Sequence, residues 1–282
     1  MLRHLLVISF VLAMIAGSGV SAPAGAVETV RFRSASSPPT PFRQRLAQER
    51  GETAVTQPGD EISGNLYRPE RPGRLPALVV LHGCSGASSP EVQAYTADWL
   101  TSLGYVALLV DSFGPRGINN ECAGGTTDRT MDALGALDYL ASLPFVQSDR
   151  IAVVGYSQGG GTALFGVNVE APQLASNNHF AAAVAYYPNC ASADVTASAL
   201  VLIGELDDWT PASRCRSMMA RRSPSMIDVR LVVYPGTYHS FNARRLAGKP
   251  SSYFGHHLEY NEAADLAARR EVEAFLAAAL GK

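Results

Sequence analysis

The chain has 282 residues, 47% of them apolar and 17% charged, with a formal net charge of −2. That is enough apolar material for one sizeable core and too little charge for a disordered or coiled-coil chain. It leaves no basic field to hold nucleic acid or an anionic membrane, so no nucleic-acid partner is expected.

Arg3 and His4 precede an apolar run from Leu5 to Ile15, followed by small residues ending in Ala24-Gly25-Ala26. This is the layout of a secretory signal peptide (residues 1–26), with cleavage expected after Ala26. The run is short of the roughly 20 residues that span a bilayer. The expected product is periplasmic or secreted, without stable membrane association after processing. Residues 27–60 carry the Ser-Pro text "SASSPPTPF" and read as an irregular N-terminal arm.

Residues 61–282 read as one α/β domain. "ISGNLYRP" has strand character, and "PALVVLHG" is a continuous apolar run of the kind buried on both faces of a parallel sheet. A helix is expected over 90–103, with Pro90 early and Gly104 at its end. Strand "YVALLVDSF", a helix over 127–143, strand "RIAVVGYS" and a helix over 158–167 follow. Then come strands "FAAAVAYYP" and "ALVLIGE", a helix near 211–221, strand "VRLVVYPG" and a long helix over 258–280. Strands alternating with helices predict a mostly parallel central sheet with helices on both faces.

Ligands of such sheets sit beyond the carboxyl ends of the strands, which directs attention to the loops there. Cys84 and Cys122 fall in loops after successive strands, and Cys190 and Cys215 after one strand and on the helix after the next. In an oxidising compartment the favoured disulfides are Cys84–Cys122 and Cys190–Cys215, the alternative being four free thiols. With no C-x-x-C pair, no metal site is expected.

Gly155-x-Ser157-x-Gly159 is weak as a pattern but lies where an apolar strand meets a small-residue helix, the place of a nucleophile elbow. A serine hydroxyl needs a base, and the base an orienting acid. "IGELDDWTP" offers Asp207 and Asp208 after one strand, and "YPGTYHSF" offers His239 after the last. The order Ser157, Asp207, His239 fits nucleophile, acid and base. Oxyanion donors are expected from the backbone N–H groups of Gln158 and, in "LHGCSG", of Cys84. His82-Gly83 is alternatively only a tight turn. Tyr156, Trp209 and Tyr238 flank these residues and either line a pocket or pack in the core.

Together, "LHGCSG", "GYSQGGG", "GELDDWTP" and "YPGTYHSF" resemble the α/β-hydrolase superfamily, and within it the dienelactone hydrolase family. The resemblance covers most of residues 60–280 and implies an α/β-hydrolase fold and hydrolysis of a small-molecule ester or lactone without cofactor or metal. The G-x-x-D-x-x-x-P spacing of that family picks Asp207 over Asp208 as the acid. The chain departs from the family in carrying Ser157 where dienelactone hydrolases proper carry cysteine, and His82-Gly83 where they carry glutamate. Of the two arginines that hold the family's substrate carboxylate, Arg116 falls near one and Arg244 is out of register with the other. Arg116 is thus a candidate substrate-binding residue or an ordinary solvated one. The loops over 112–129 and 240–257 are expected to shape the pocket. A peptidase or acyltransferase on the same residues, or a non-catalytic binding protein, are the other readings, and the oligomeric state is not legible.

Overall fold

A computed structural model of the protein describes residues 27–87, 99–169, 171, 176–191, 194–223 and 227–281. The expected signal peptide and most of the helix expected over 90–103 lie outside these residues.

Eight strands form one sheet: β1 (Val27–Arg33), β2 (Glu61–Tyr67), β3 (Leu75–Leu81), β4 (Val106–Asp111), β5 (Val146–Tyr156), β6 (Ala182–Tyr186), β7 (Ser198–Gly204) and β8 (Val229–Tyr234). Their spatial order is β1-β2-β4-β3-β5-β6-β7-β8. Only the β1–β2 and β2–β4 pairings in it are antiparallel. The continuous apolar runs occupy the middle: Val79, Val80, Leu81, Val153, Val154, Val201 and Leu202 are wholly buried. Each such side chain is worth about 1.5–3 kcal/mol over its exposed state.

The helices are α1 (Pro41–Glu49), α2 (Arg129–Ser142), α3 (Gln158–Gly166), α4 (Ala212–Arg221) and α5 (Glu262–Leu280). Helices α2 and α3 pack on each other and on β5, and α5 packs on β5, β6 and β7. Helix α2 starts at Asp128, whose carboxylate accepts the Met131 N–H, and ends where Leu143 turns extended ahead of Pro144. Helix α5 starts four residues later than its spacing suggests. Residues His256–Leu258 are taken by β10, which pairs with β9 (Ser251–Tyr253), and Asn261 then caps the helix.

The irregular arm expected over 27–60 needs correction. Residues 27–33 are the edge strand of the sheet, paired with β2 from Val27↔Tyr67 to Arg33↔Glu61. Val30 and Phe32 point into the core while Arg31 and Arg33 face outward, an alternation that makes a half-buried strand. Beyond it, α1 is a helix capped by Thr40 with no buried residue.

Strands β3 and β4 are laid down in one direction from the centre and β5 to β8 in the other. The order therefore reverses between β3 and β5, and a crevice opens at their carboxyl ends.

Candidate active site

Ser157 sits between β5 and α3 with φ +55° and ψ −116°, a conformation that serine rarely adopts. Its N–H donates to Tyr186 O at 2.9 Å and its carbonyl accepts from Gly161 N–H at 3.0 Å, so the neighbouring strand β6 and helix α3 hold the bend. The glycines are sterically required: a Cβ on Gly155 would overlap the carbonyl of Gly159, and one on Gly159 would overlap the carbonyls of Leu81 and His82.

His239, after β8, is 1% exposed. Its Nδ1 lies 2.8 Å from Asp207 Oδ2 and its Nε2 3.0 Å from Ser157 Oγ. Asp207, after β7, is itself held. Its Oδ1 accepts the N–H groups of Trp209 and Thr210 at 3.0 and 2.8 Å, and the Thr210 hydroxyl lies 3.0 Å from Oδ2. These contacts aim the other carboxylate oxygen at the imidazole. A neutral imidazole whose Nδ1–H donates to Asp207 presents a lone pair on Nε2 to the serine hydroxyl, the requirement for taking its proton.

Asp208 goes elsewhere: its carboxylate accepts the His257 N–H at 3.2 Å and lies 3.6 Å from His256 Nδ1.

Gln158 opens α3, so its N–H is one of the first four that have no partner within the helix. Gly83, Cys84 and Ser85 border the same cavity as Ser157. Behind them runs a buried network. Arg129 donates to His82 O at 2.8 Å and to Gln158 Oε1 at 3.0 Å, joining the loop after β3 to the start of α3. Burial holds its guanidinium down to about 10, against the pull of Asp132 and Glu121. The Glu121 N–H donates to Cys84 O at 2.9 Å, and the Cys84–Cys122 disulfide locks the same two loops. Cys190 and Cys215 form the second disulfide.

His82 is wholly buried, with Nδ1 2.6 Å from Gly83 O and Nε2 accepting from Ser112 N–H at 3.3 Å. This pattern assigns the neutral Nδ1–H tautomer. Burial, and then the Arg129 charge, push its pKa well below the ordinary 6.5.

A cavity of about 240 Å³ opens over Ser157 and His239. Tyr156 and Trp209 line it, Tyr156 being also part of the buried core, and the indole centroid lies 5.1 Å from the His239 ring. Tyr238 packs on His257 instead, at 4.0 Å.

Arg116 is the clearest correction. Its guanidinium is bidentate on Asp132 at 2.8 and 2.9 Å and reaches Asp60 at 2.8 Å, and it does not line the cavity. Burial opposes its charge, but Asp132 and Asp60 outweigh that and raise its pKa. Arg244 turns to Asp265, and its neighbour Arg245 lines the cavity.

The loop over 112–129 supplies none of the described lining residues; it backs the loop after β3. Residues 240–258 do line the cavity, through Ser240, Asn242, Ala243, Ser251, Tyr253 and Leu258.

Sequence reasoning missed Thr210, Arg129, Tyr187 and Asn242. The Tyr187 hydroxyl donates to Asn242 Oδ1 at 2.7 Å beside the imidazole. Thr210 had a local signal, the D-x-x-T spacing that lets an aspartate receive N–H groups two and three residues on. The others had none.

A mostly parallel sheet carrying a serine on a tight bend after β5, an acid after β7 and a histidine after β8 defines an α/β-hydrolase. Residues 62–280 match the dienelactone hydrolase family. The chain belongs to that family. It is 30% identical over 197 residues to acylamino-acid-releasing enzyme 2 of Oryza sativa subsp. japonica, a match over 63% of this chain and about a quarter (24%) of that protein. It is 26% identical over 203 residues to a Bradyrhizobium protein named probable 2-oxo-3-(5-oxofuran-2-ylidene)propanoate lactonase, covering 65% of this chain and 80% of that one. A dienelactone hydrolase-like promiscuous phosphotriesterase from metagenomic libraries superimposes with a TM-score of 0.64 at 18% identity, over 90% of this chain and 99% of that one. At such identity the likeness speaks to the fold alone.

Proposed function

We propose that the protein is an exported serine hydrolase that cleaves a carboxylic ester or lactone through an acyl-enzyme on Ser157. The observation that carries the reading is the single imidazole of His239 spanning Asp207 Oδ2 at 2.8 Å and Ser157 Oγ at 3.0 Å. In the first half-reaction Ser157 Oγ attacks the substrate carbonyl as its proton passes to His239 Nε2. Asp207 keeps the tautomer and stabilises the imidazolium. The N–H groups of Gln158 and Cys84 receive the negative oxygen. Collapse of the tetrahedral species expels the alcohol, which takes the proton from His239. Water then gives a proton to His239 and attacks the acyl carbonyl, and collapse of the second tetrahedral species releases the acid as His239 returns that proton to Ser157 Oγ.

The cavity of about 240 Å³ is below the roughly 300–1,000 Å³ of drug-sized pockets and suits a compact substrate. The name of the Bradyrhizobium relative supports a lactone among the candidates, and that of the rice relative supports a peptidase as the second reading. Two disulfides among the described residues support export, since such bonds persist in oxidising compartments.

Ser157→Ala is expected to lower turnover of a short-chain chromogenic ester by at least about 10³-fold. A fluorophosphonate is expected to phosphonylate Ser157 Oγ of the unmodified chain with loss of fluoride, adding the reagent's mass less that of HF. Full activity in pure Ser157→Ala protein, or a label on another residue, would overturn the assignment. An equal rate on an N-acyl amide would shift it to the peptidase reading.

A further inference from the structure

The turn between β9 and β10 consists of two residues, Phe254 and Gly255, with φ +52° and +82°. Positive φ at both central positions is the mark of the tight hairpin turn that Asn-Gly or Gly-Gly ordinarily fill. An aromatic residue in the first position is disfavoured by its own backbone. It is disfavoured a second time by solvent, because Phe254 is 52% exposed and its neighbour Tyr253 38%. Two separate penalties at one residue, at the tip of a hairpin beside a reactive site, point to a contact made only when a ligand is bound.

The surroundings say where that ligand lies. Phe254 and Tyr253 meet edge to face at 4.8 Å. Trp209 lies 6.0 Å from Tyr253 and 6.5 Å from Phe254, and on its inner side 5.1 Å from the His239 ring. The indole is held by His256, stacked on it at 4.9 Å and 14°. The hairpin is tied to the reactive centre through Leu258, which bridges to His239, and through the Glu259 N–H, which donates to His239 O at 3.3 Å. Aromatic faces therefore continue from the hairpin tip to the imidazole, and both Tyr253 and Trp209 line the cavity.

Resting on the serine-hydrolase reading, we propose that Trp209, Tyr253 and Phe254 form a subsite for a planar aromatic group, and that the substrate is an ester carrying an aryl ring on its acid or its alcohol side. The ring stacks on these faces while the ester carbonyl lies at Ser157.

The test compares two matched pairs: methyl benzoate with methyl cyclohexanecarboxylate for a ring on the acid, and phenyl acetate with cyclohexyl acetate for a ring on the alcohol. The variants are Tyr253→Ala and Phe254→Asn; the second keeps a residue that accepts positive φ, so the hairpin is retained. Taking wild-type-to-variant ratios of kcat/KM cancels the intrinsic reactivity of each ester. The expected result is a loss of roughly three- to tenfold on one or both aryl esters, carried by KM, with the cyclohexyl partner within about twofold.

The same esters are titrated against Ser157→Ala protein by tryptophan fluorescence, with and without the hairpin substitutions. This arm needs no turnover, so it tests the subsite even if fluorophosphonate labelling refutes the role of Ser157. Equal loss on aryl and cyclohexyl esters, no loss on either, or aryl binding in Ser157→Ala that ignores both substitutions overturns the subsite. So does a wild-type dimer in sedimentation that Phe254→Asn converts to monomer, because a second copy would then be what covers the tip.

Discussion

Asp207 and Asp208 adjoin in the chain and have the same chemistry, yet their surroundings part them. Asp207 is buried under two N–H donors, a hydroxyl and the His239 ring, whereas Asp208 is half-exposed beside the hairpin. His82 illustrates the same control by environment. Where the family's pattern has glutamate, this chain buries a neutral imidazole next to the Arg129 guanidinium. Its folded pKa is lowered, so below about pH 6.5 the unfolded chain binds a proton there that the native state refuses. The stability contributed at neutral pH is then lost as pH falls, by about 1.4 kcal/mol per pH unit until the native pKa is reached. Urea unfolding of wild type and His82→Gln at pH 7.0 and about pH 5.5 measures it: the wild type is expected to lose more stability over this interval. Equal losses in the two proteins would refute the account.

At the level of elements, the parallel strands were legible because a strand segment buried on both faces must be apolar, as β3, β5 from Ile151 on and β7 from Ala199 on are. Strand β1 was harder to see. Only Val30 and Phe32 mark its inner face, and charged residues fill the other, as an edge strand requires. The loop after β3 shows what a covalent tie adds to such elements. Cys84–Cys122 closes a span of 38 residues, which on the chain-entropy account stabilises the fold by about 4 kcal/mol. It also anchors the segment carrying one proposed oxyanion donor. The Cys84→Ala/Cys122→Ala double variant is expected to unfold at lower denaturant with a loss of that order, and to show lower kcat with less change in KM. Denaturant titration and ester kinetics on the same preparation check both parts.

At the scale of the whole molecule, Arg116 joins parts of the chain that no local pattern connects: Asp60 before β2, Ser112 after β4 and Asp132 on α2. Asp132 is wholly buried, so removing its partner strands a charge. Arg116→Ala is expected to cost about 3–5 kcal/mol in thermal or denaturant unfolding. The ratio of rates on acidic and neutral esters is expected to stay as in wild type, and a selective loss on acidic esters would return Arg116 to the substrate. The sequence by itself indicated the alternation of strands and helices from β2 onward, the serine between two glycines at a strand-to-helix turn, and the aspartate and histidine at later strand ends, while the cysteine pairing was only favoured among alternatives. These depend on spacing, on steric limits at glycine and on loops that any such sheet brings to one rim. Only the tertiary structure decided that Arg116 serves the scaffold, that residues 27–33 extend the sheet, and that Arg129 joins the two segments around the serine. It also decided that the aromatic residues at 209, 253 and 254 meet. Those facts rest on which distant side chains share a buried volume. That is a property of packing in three dimensions, which periodicity along one does not carry.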